Sequence, residues 1–438
     1  MRTMTIATAL LFAIGSIAQQ SHTMALKDAI AYGRQHSATL TIAANDQLKA
    51  KAAAAETRGA LLPQISVAGQ ADDYIKRQTT YLPAGIFSEE PTPVQLGTQF
   101  ASSVTLQNEQ TLVDFAVFQN IKAGTPKMEM ARIRRVQAEE QLIYDASKAY
   151  AQALIYKEQV RLLEANERQY DELVPILRLR LEKGVAQPLE VDRVEVTRRN
   201  IVSQRLVAEA NYDLAVAQLK RVIGMSLTDS LMLTDALDLR QPTPTAFAME
   251  TLNNYRLSEQ AILLKDIELK RRRNLALPTL SSYSRFGALA QGDDLGGHLE
   301  RWNSYNSMGL RVQMPLFSGL RRANQVKHAE LDLASAREQL KLDRLGWELD
   351  HRNADTRLAA SQSTVANDQE NLRLAEQVFA NTNLQYQQGL APLSDLLNAD
   401  YQLKEARNNY TTSLLSHYIA TIDVEKAKGT LIEFAQTL

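Results

Sequence analysis

The chain has 438 residues, 45% of them hydrophobic, and its 49 Lys and Arg against 50 Asp and Glu leave a net charge of -1. That balance predicts neither a nucleic-acid binder nor an acidic scavenger, so any electrostatic function is local. Zero cysteines exclude disulfides and thiolate metal sites, and the six histidines, His22, His36, His298, His328, His351 and His417, form no ligand pair on one helix face, so no zinc enzyme is expected.

The chain opens with MRTMTIATALLFAIGSIAQQ: Arg2 is a charged leader, Ile6 to Ile17 an apolar core, and Ser16 and Ala18 frame a small-residue cleavage site. This predicts a secretory signal over 1–18, because the apolar run is shorter than the roughly 20 residues a spanning helix needs. No cysteine follows it to carry a lipid anchor. A helix is expected from Leu26 to Arg58, ended by Pro63. The period then changes. In SVTLQNE, Val104 and Leu106 alternate with Thr105 and Gln107, which is the pattern of a strand with one apolar face. The turn-rich segment Tyr81 to Gly97 makes this region one long hairpin.

A second helical stretch follows, broken at LEKGVAQPLEVDRVEV by Gly184 and Pro188. The connector Arg240 to Thr245 holds two prolines, which exclude a continuous helix. Beyond it the order repeats. A helix from Ala248 to Arg273 ends before Pro278, and LRVQMPL sets Leu310, Val312 and Met314 against Arg311 and Gln313 across the turn-rich Gln291 to Asn303. From Leu320 to Gln388 a proline-free run carries Leu342, Leu345 and Leu349, then Val365, Leu372, Ala375 and Phe379, at coiled-coil spacing. Such a helix would be on the order of 100 Å long. It breaks at YQQGLAPLSDLLNADYQL, where Gly389 and Pro392 replay the earlier interruption.

The repetition is metric as well as textual. ALLPQISVAGQ at Ala60 matches LALPTLSSYSR at Leu275, and QTLVDFAVF at Gln110 matches MPLFSGLRR at Met314. Leu112 to Gly184 spans 72 residues and Leu316 to Gly389 spans 73, while Gly184 to Gly224 and Gly389 to Gly429 both span 40. Each break reads as a helix, a C-terminal glycine and a proline opening the returning helix. Glu190 and Asp395 each lie six residues after the glycine. Negative charge near a helix start is favourable by itself, and no further polar groups gather there to make an acid–base pair catalytic.

On these residues the chain resembles the outer membrane efflux proteins, the TolC-like channels of Gram-negative bacteria. The carriers are the signal, LLPQISV and LPTLSSY, MPLFSG, YQQGLAPLSDLLNADYQLKEARNNY and the late KGTL. The resemblance implies a mainly α fold with membrane β: a homotrimer whose protomers give four strands each to one outer-membrane β-barrel, continued by a long periplasmic α-helical barrel. It assigns 63–118 and 275–317 to the membrane hairpins, 19–62, 119–222, 248–274 and 318–438 to the helical barrel, and 223–247 to a connector. It implies a passive exit duct for efflux or type I secretion, with no catalytic residue, metal or cofactor. The implied partners are outer-membrane lipid, a periplasmic adaptor (membrane fusion) protein and, indirectly, an inner-membrane pump.

Residue by residue, Asp395 matches the aspartate that rings the narrowest aperture near the periplasmic tip. Asn398 stands where a second acid is common, and Asp400 is expected to point elsewhere. Tyr386 matches a tyrosine that ties hairpins at the closed tip, with Glu190 as its candidate acceptor. Ala391 replaces a basic residue of that closing network. Gly184, Val185, Gly389 and Leu390 match the turns that dock an adaptor. The basic run Lys270 to Arg273 is a candidate contact for lipid phosphates. The alternative from the residues alone is a periplasmic coiled-coil adaptor or scaffold. An adaptor, however, has one helical hairpin rather than duplicated amphipathic ones.

Overall fold

The computed structural model describes residues 21–83, 85, 89–90, 92–235, 242 and 246–437; the expected signal and most of the Arg240 to Thr245 connector lie outside them. In chain order the elements are β1 (Ser21–Met24), α1 (Leu26–His36), α2 (Ala38–Gly59), β2 (Gln64–Asp73), β3 (Thr79–Leu82), β4 (Thr92–Gln95) and β5 (Phe100–Val113). Then come α3 (Phe115–Glu182), α4 (Pro188–Ile223), β6 (Ser230–Leu233), α5 (Asn253–Asn274), β7 (Thr279–Gly292), β8 (Trp302–Gln313), α6 (Arg321–Gln387), α7 (Leu393–Lys428) and α8 (Leu431–Thr437). The repeat is visible in the lengths, with 68 residues in α3 against 67 in α6, and 36 in both α4 and α7. Among the described residues no helix is long and apolar enough to cross a membrane.

The elements collect into two compact units, one from Asn45–Ile133 and Asn254–Asp343, the other from the described residues of Met1–Ala44, Arg134–Asn253 and Arg344–Leu438. The first is organised by an antiparallel sheet in the order β2-β5-β7-β8. Its register places Ile65, Val67, Val104, Leu106, Phe286, Met308, Leu310 and Val312 on one face, all exposed. The opposite face carries Gln64, Ser66, Gln70, Gln107, Glu109, Arg285, Arg311 and Gln313. The alternation expected for Val104, Leu106, Leu310 and Val312 is therefore present; Met314 falls just beyond β8. At the turn-rich Tyr81 to Gly97 segment β3 and β4 pair, with Tyr81 opposite Pro93 and Leu82 opposite Thr92. At the helix end, Lys270 pairs with Asp266, Arg271 and Arg272 with Glu268, and Arg273 with Glu330, so the basic run is matched by carboxylates.

The second unit has its core where α1, α3, α4, α7 and α8 meet, around Ile30, Ile143, Tyr150, Leu219, Ile223, Ile422 and Leu431. A parallel pair, β1 with β6, closes over it. Tyr150 binds this pair to α3, donating its hydroxyl to Met24 O at 3.0 Å, and Lys157 reaches Leu233 O at 2.7 Å. Burial pushes the Tyr150 hydroxyl up to about 12, so it stays a donor.

The single helix expected from Leu26 to Arg58 is two helices. Ser37 is extended at φ -66 and ψ 122, and it caps α1 through its N–H to Gly33 O. The cause is a tertiary contact. Gly224, the left-handed cap of α4 at φ +75, brings its backbone so close that a Cβ there would stand 2.5 Å from His36 O. Gly184 has nearly the same φ, +73, yet open space around it. Gly184→Ala is thus expected to cost only the left-handed backbone strain, about 1–2 kcal/mol. Gly224→Ala adds a clash with a buried corner and is expected to cost about 3 kcal/mol or more. Thermal unfolding of the two variants side by side checks the difference.

Candidate functional site

The two helix reversals are built alike. At the end of α3, Gly184 N–H bonds Leu181 O at 2.9 Å and Val185 N–H bonds Arg180 O at 3.0 Å. At the end of α6, Gly389 N–H bonds Tyr386 O at 3.1 Å and Leu390 N–H bonds Gln385 O at 2.8 Å. Both are Schellman closures around a left-handed glycine. Pro188 then opens α4 at its first position and Pro392 caps α7.

The same closure ends the returning helices at Gly224 and Gly429, where the next residue, Met225 or Thr430, is buried. At the reversals that residue is aliphatic and open: Val185 and Leu390 are each 75% exposed. An apolar residue at this place ordinarily packs back on its own helix. Here it is presented outward, twice.

Behind the reversals lies a core of Tyr170 and Leu177 from α3, Val191, Val194 and Ile201 from α4, Tyr386 from α6, and Leu393 and Leu396 from α7. Tyr386 is therefore a core residue of the chain itself. Its ring faces the Arg180 guanidinium at 5.4 Å. Burial raises its hydroxyl pKa; Arg180 opposes this, and the nearby charge of Glu190 adds to it. Glu190 was expected to accept from Tyr386, but its carboxylate accepts the N–H of Gln187 at 3.2 Å and caps α4. A carboxylate three residues into a helix has that orphan N–H within local reach.

Asp395 and Asn398 are exposed on the first turns of α7, with Leu393, Leu396 and Ala399 turned inward. Gln402 and Glu405 continue the exposed face, so a polar stripe runs on at three-and-four spacing. That spacing makes the stripe legible in the sequence. Asp400 does point elsewhere, into the protein. The Tyr170 hydroxyl and Lys404 Nζ both donate to Asp400 Oδ2, at 2.6 Å and 2.5 Å, and Lys404 Nζ also lies over the Tyr170 ring at 4.8 Å. Burial, then the charge of Asp400, drives the Tyr170 hydroxyl far above its ordinary range. This buried triad joins α3 to α7. The Asp400–Lys404 spacing of four was readable in the sequence; the Tyr170 partner, 230 positions away, was not.

Further along α7, buried His417 meets Ser361 Oγ of α6 through Nδ1 at 3.1 Å. Burial holds its pKa below the ordinary histidine value. No group of three or more potential metal ligands occurs among the described residues.

A sequence model of the family described as "Outer membrane efflux protein" matches residues 33–225 and 269–430. The outer membrane protein TolC of Escherichia coli is 23% identical over 398 residues, which cover 86% of this chain and 76% of that one. The alkaline protease secretion protein AprF of Pseudomonas aeruginosa is 23% identical over 352 residues, 75% of this chain and 70% of the relative. Among solved structures, the Campylobacter jejuni CmeC outer membrane channel superposes with a TM-score of 0.76 at 16% identity, over 92% of this chain and 85% of that one. Vibrio cholerae VceC gives 0.71 at 17% identity, over 92% and 96%.

Two outcomes follow from the buried polar groups. Asp400→Ala strands Lys404 and the Tyr170 hydroxyl and is expected to cost about 3 kcal/mol, whereas Tyr170→Phe removes one bond for about 1 kcal/mol; urea unfolding midpoints measure both. Because the folded state depresses the His417 pKa, its neutral ring contributes in full above about pH 6.5, and that contribution is lost as pH falls below it. The wild-type unfolding temperature should therefore drop on acidification more than that of His417→Gln.

Proposed function

The chain belongs to the outer membrane efflux protein family, and from that we propose that it is a passive exit duct in the outer membrane, serving a tripartite efflux or type I secretion system and gated at its helix reversals. The observation that carries the reading is the sheet. It has an exposed apolar face, a polar face and two unpaired edge strands, β2 and β8, in a chain whose described helices cannot span lipid. Hydrocarbon offers no water to backbone groups, so strands cross it only when closed into a barrel. Four strands fall short of the roughly eight that the smallest membrane barrels use, and three copies exceed that minimum. Two copies would already reach that minimum, and it is the family relation that points to three: a homotrimer with apolar faces to lipid and polar faces to the lumen.

In this reading the hairpins 63–118 and 275–317 form the membrane part and the long helices the periplasmic part, joined through the connector 223–247. Val185 and Leu390, carried outward by Gly184 and Gly389, are the surface for a periplasmic adaptor protein, through which an inner-membrane pump acts. A protein partner accounts for two aliphatic side chains held in water by a closure that normally buries them. Asp395 is the aperture carboxylate. Repeated by threefold symmetry it gathers three negative charges in a constriction, which attracts cations and repels anions. Asn398, Gln402 and Glu405 extend its lining, and Glu190 sets the charge around Tyr386 from its place at the start of α4. Opening then means separating helices α6 and α7 from their neighbours, with the energy supplied by the partner proteins. No catalytic role is assigned. The adaptor or scaffold alternative has no use for an amphipathic sheet.

Asp395→Ala is expected to raise single-channel conductance at low salt and to weaken blockade by multivalent cations in planar bilayers. Unchanged conductance and blockade would remove Asp395 from the aperture while leaving the fold untouched. Val185→Asp with Leu390→Asp is expected to abolish export in cells without lowering the amount of protein in the outer membrane.

A further inference from the structure

The open edges carry a register, because the sheet is made of two repeats. β2 begins directly after Pro63 and β7 directly after Pro278, and their first residues, Gln64 and Thr279, pair with Glu109 on β5 and Gln313 on β8. Gln64 thus corresponds to Thr279, and Glu109 to Gln313. Where the repeats meet inside the chain, β5 lies against β7 with Asn108 opposite Ser284 and Thr105 opposite Gly287. Where copies meet, the corresponding strands are β8 of one and β2 of the next. Transferring the register residue by residue sets Val312 opposite Gly69, Arg311 opposite Gln70, Leu310 opposite Ala71 and Gly309 opposite Asp72. The parity is right: Val312 and Gly69 both belong to the apolar face, Arg311 and Gln70 to the polar one. A slip of one residue would turn the apolar face of one copy into the lumen.

A separate feature falls on the same rung. Within the β7–β8 hairpin, Tyr305 is paired with Gly287 and Tyr283 with Gly309. Each ring lies across its glycine: a Cβ on Gly287 would stand 2.4 Å from Tyr305 Cζ, and one on Gly309 would stand 2.8 Å from the Tyr283 hydroxyl. Tyr305 thereby reaches the third strand and meets Thr105 Oγ1 at 2.9 Å. Thr105 is the residue paired with Gly287 from the other side. Tyr283 makes the same crossing in the opposite direction, over Gly309, toward the open edge of β8. In the transferred register the residue beyond Gly309 is Asp72 of the neighbouring copy. The Arg311 guanidinium, which pairs with Glu109 of its own chain at 3.4 Å, lies 5.3 Å from the centre of the Tyr283 ring and brings a cation beside that rung. Within its own chain Asp72 is held on edge strand β2 by the Gln70 amide at 2.8 Å.

We propose that the sheet closes on copies of itself in this one register, with Tyr283 and Arg311 of each copy receiving Asp72 of the next. The inference rests on the trimeric-barrel reading above and adds to it the pairing that selects a single seam.

The chain has no cysteine, so introduced pairs report alone. Two double variants are compared, Arg311→Cys with Gln70→Cys and Leu310→Cys with Ala71→Cys; adjacent rungs alternate between the two antiparallel pair geometries, so one of them has the closer spacing a disulfide needs. Mild oxidation in isolated outer membranes should link at least one of these into a covalent three-chain species on non-reducing gels. The slipped pairs Arg311→Cys with Ala68→Cys and Leu310→Cys with Asp73→Cys should stay unlinked, because diagonal neighbours lie about 7–8 Å apart. Tyr283→Phe and Asp72→Asn should each lower the temperature at which the trimer dissociates in detergent, and the double variant should fall no further than the worse single one. A trimeric particle that links through a slipped pair, or through none, overturns the register and leaves the trimer standing. A single-chain particle overturns both.

Discussion

A peptide group placed in hydrocarbon has no water to bond, and this is the constraint on which the proposed membrane role of the sheet depends. One chain satisfies the inner strands β5 and β7 on both sides and leaves β2 and β8 each with an unpaired edge. The face that carries Ile65, Val67, Met308, Leu310 and Val312 could not stay in water without attracting other apolar surface. The face that carries Gln107, Glu109, Arg285 and Arg311 could not stay in lipid. The proposed closure of the sheet with copies of itself meets both conditions at once.

The helical unit obeys a different economy. Its long helices have polar residues on much of their surface, and its cohesion comes from local clusters. These are the apolar knot around Tyr150 and Leu219, the core behind the reversals, and the buried polar joints Tyr170–Asp400–Lys404 and Ser361–His417. Polar joints fix register better than apolar packing does, since a sliding helix would strand a buried charge or hydroxyl. The same Schellman closure appears at both ends of the returning helices, burying Met225 and Thr430 at one end and exposing Val185 and Leu390 at the other. Backbone chemistry alone does not distinguish those ends; their surroundings do.

Much of the candidate site was legible before any coordinates. Gly184 and Gly389 announce a left-handed closure, the following prolines announce a new helix, and the acids six residues later sit where a helix start tolerates charge. Asp395 and Asn398 are exposed on the first turns of α7. The family resemblance pairs Glu190 with Tyr386, but the two are not hydrogen-bonded in the structure, where Glu190 caps its own helix and Tyr386 takes Arg180. Local capping is short-range and wins over a partner on another helix.

The sequence by itself determined the duplication, the long helix before Gly389, the two reversals and the alternation of the sheet strands, because each of these is written in a short period or a fixed spacing along the chain. Only the tertiary structure decided the bend at Ser37, the parallel pair of β1 with β6, the partner of Asp400 and the crossing of Tyr283 over Gly309. Each of those depends on residues far apart in sequence meeting at atomic contact. Such meetings are set by packing and the close approach of backbones, and no local pattern records them.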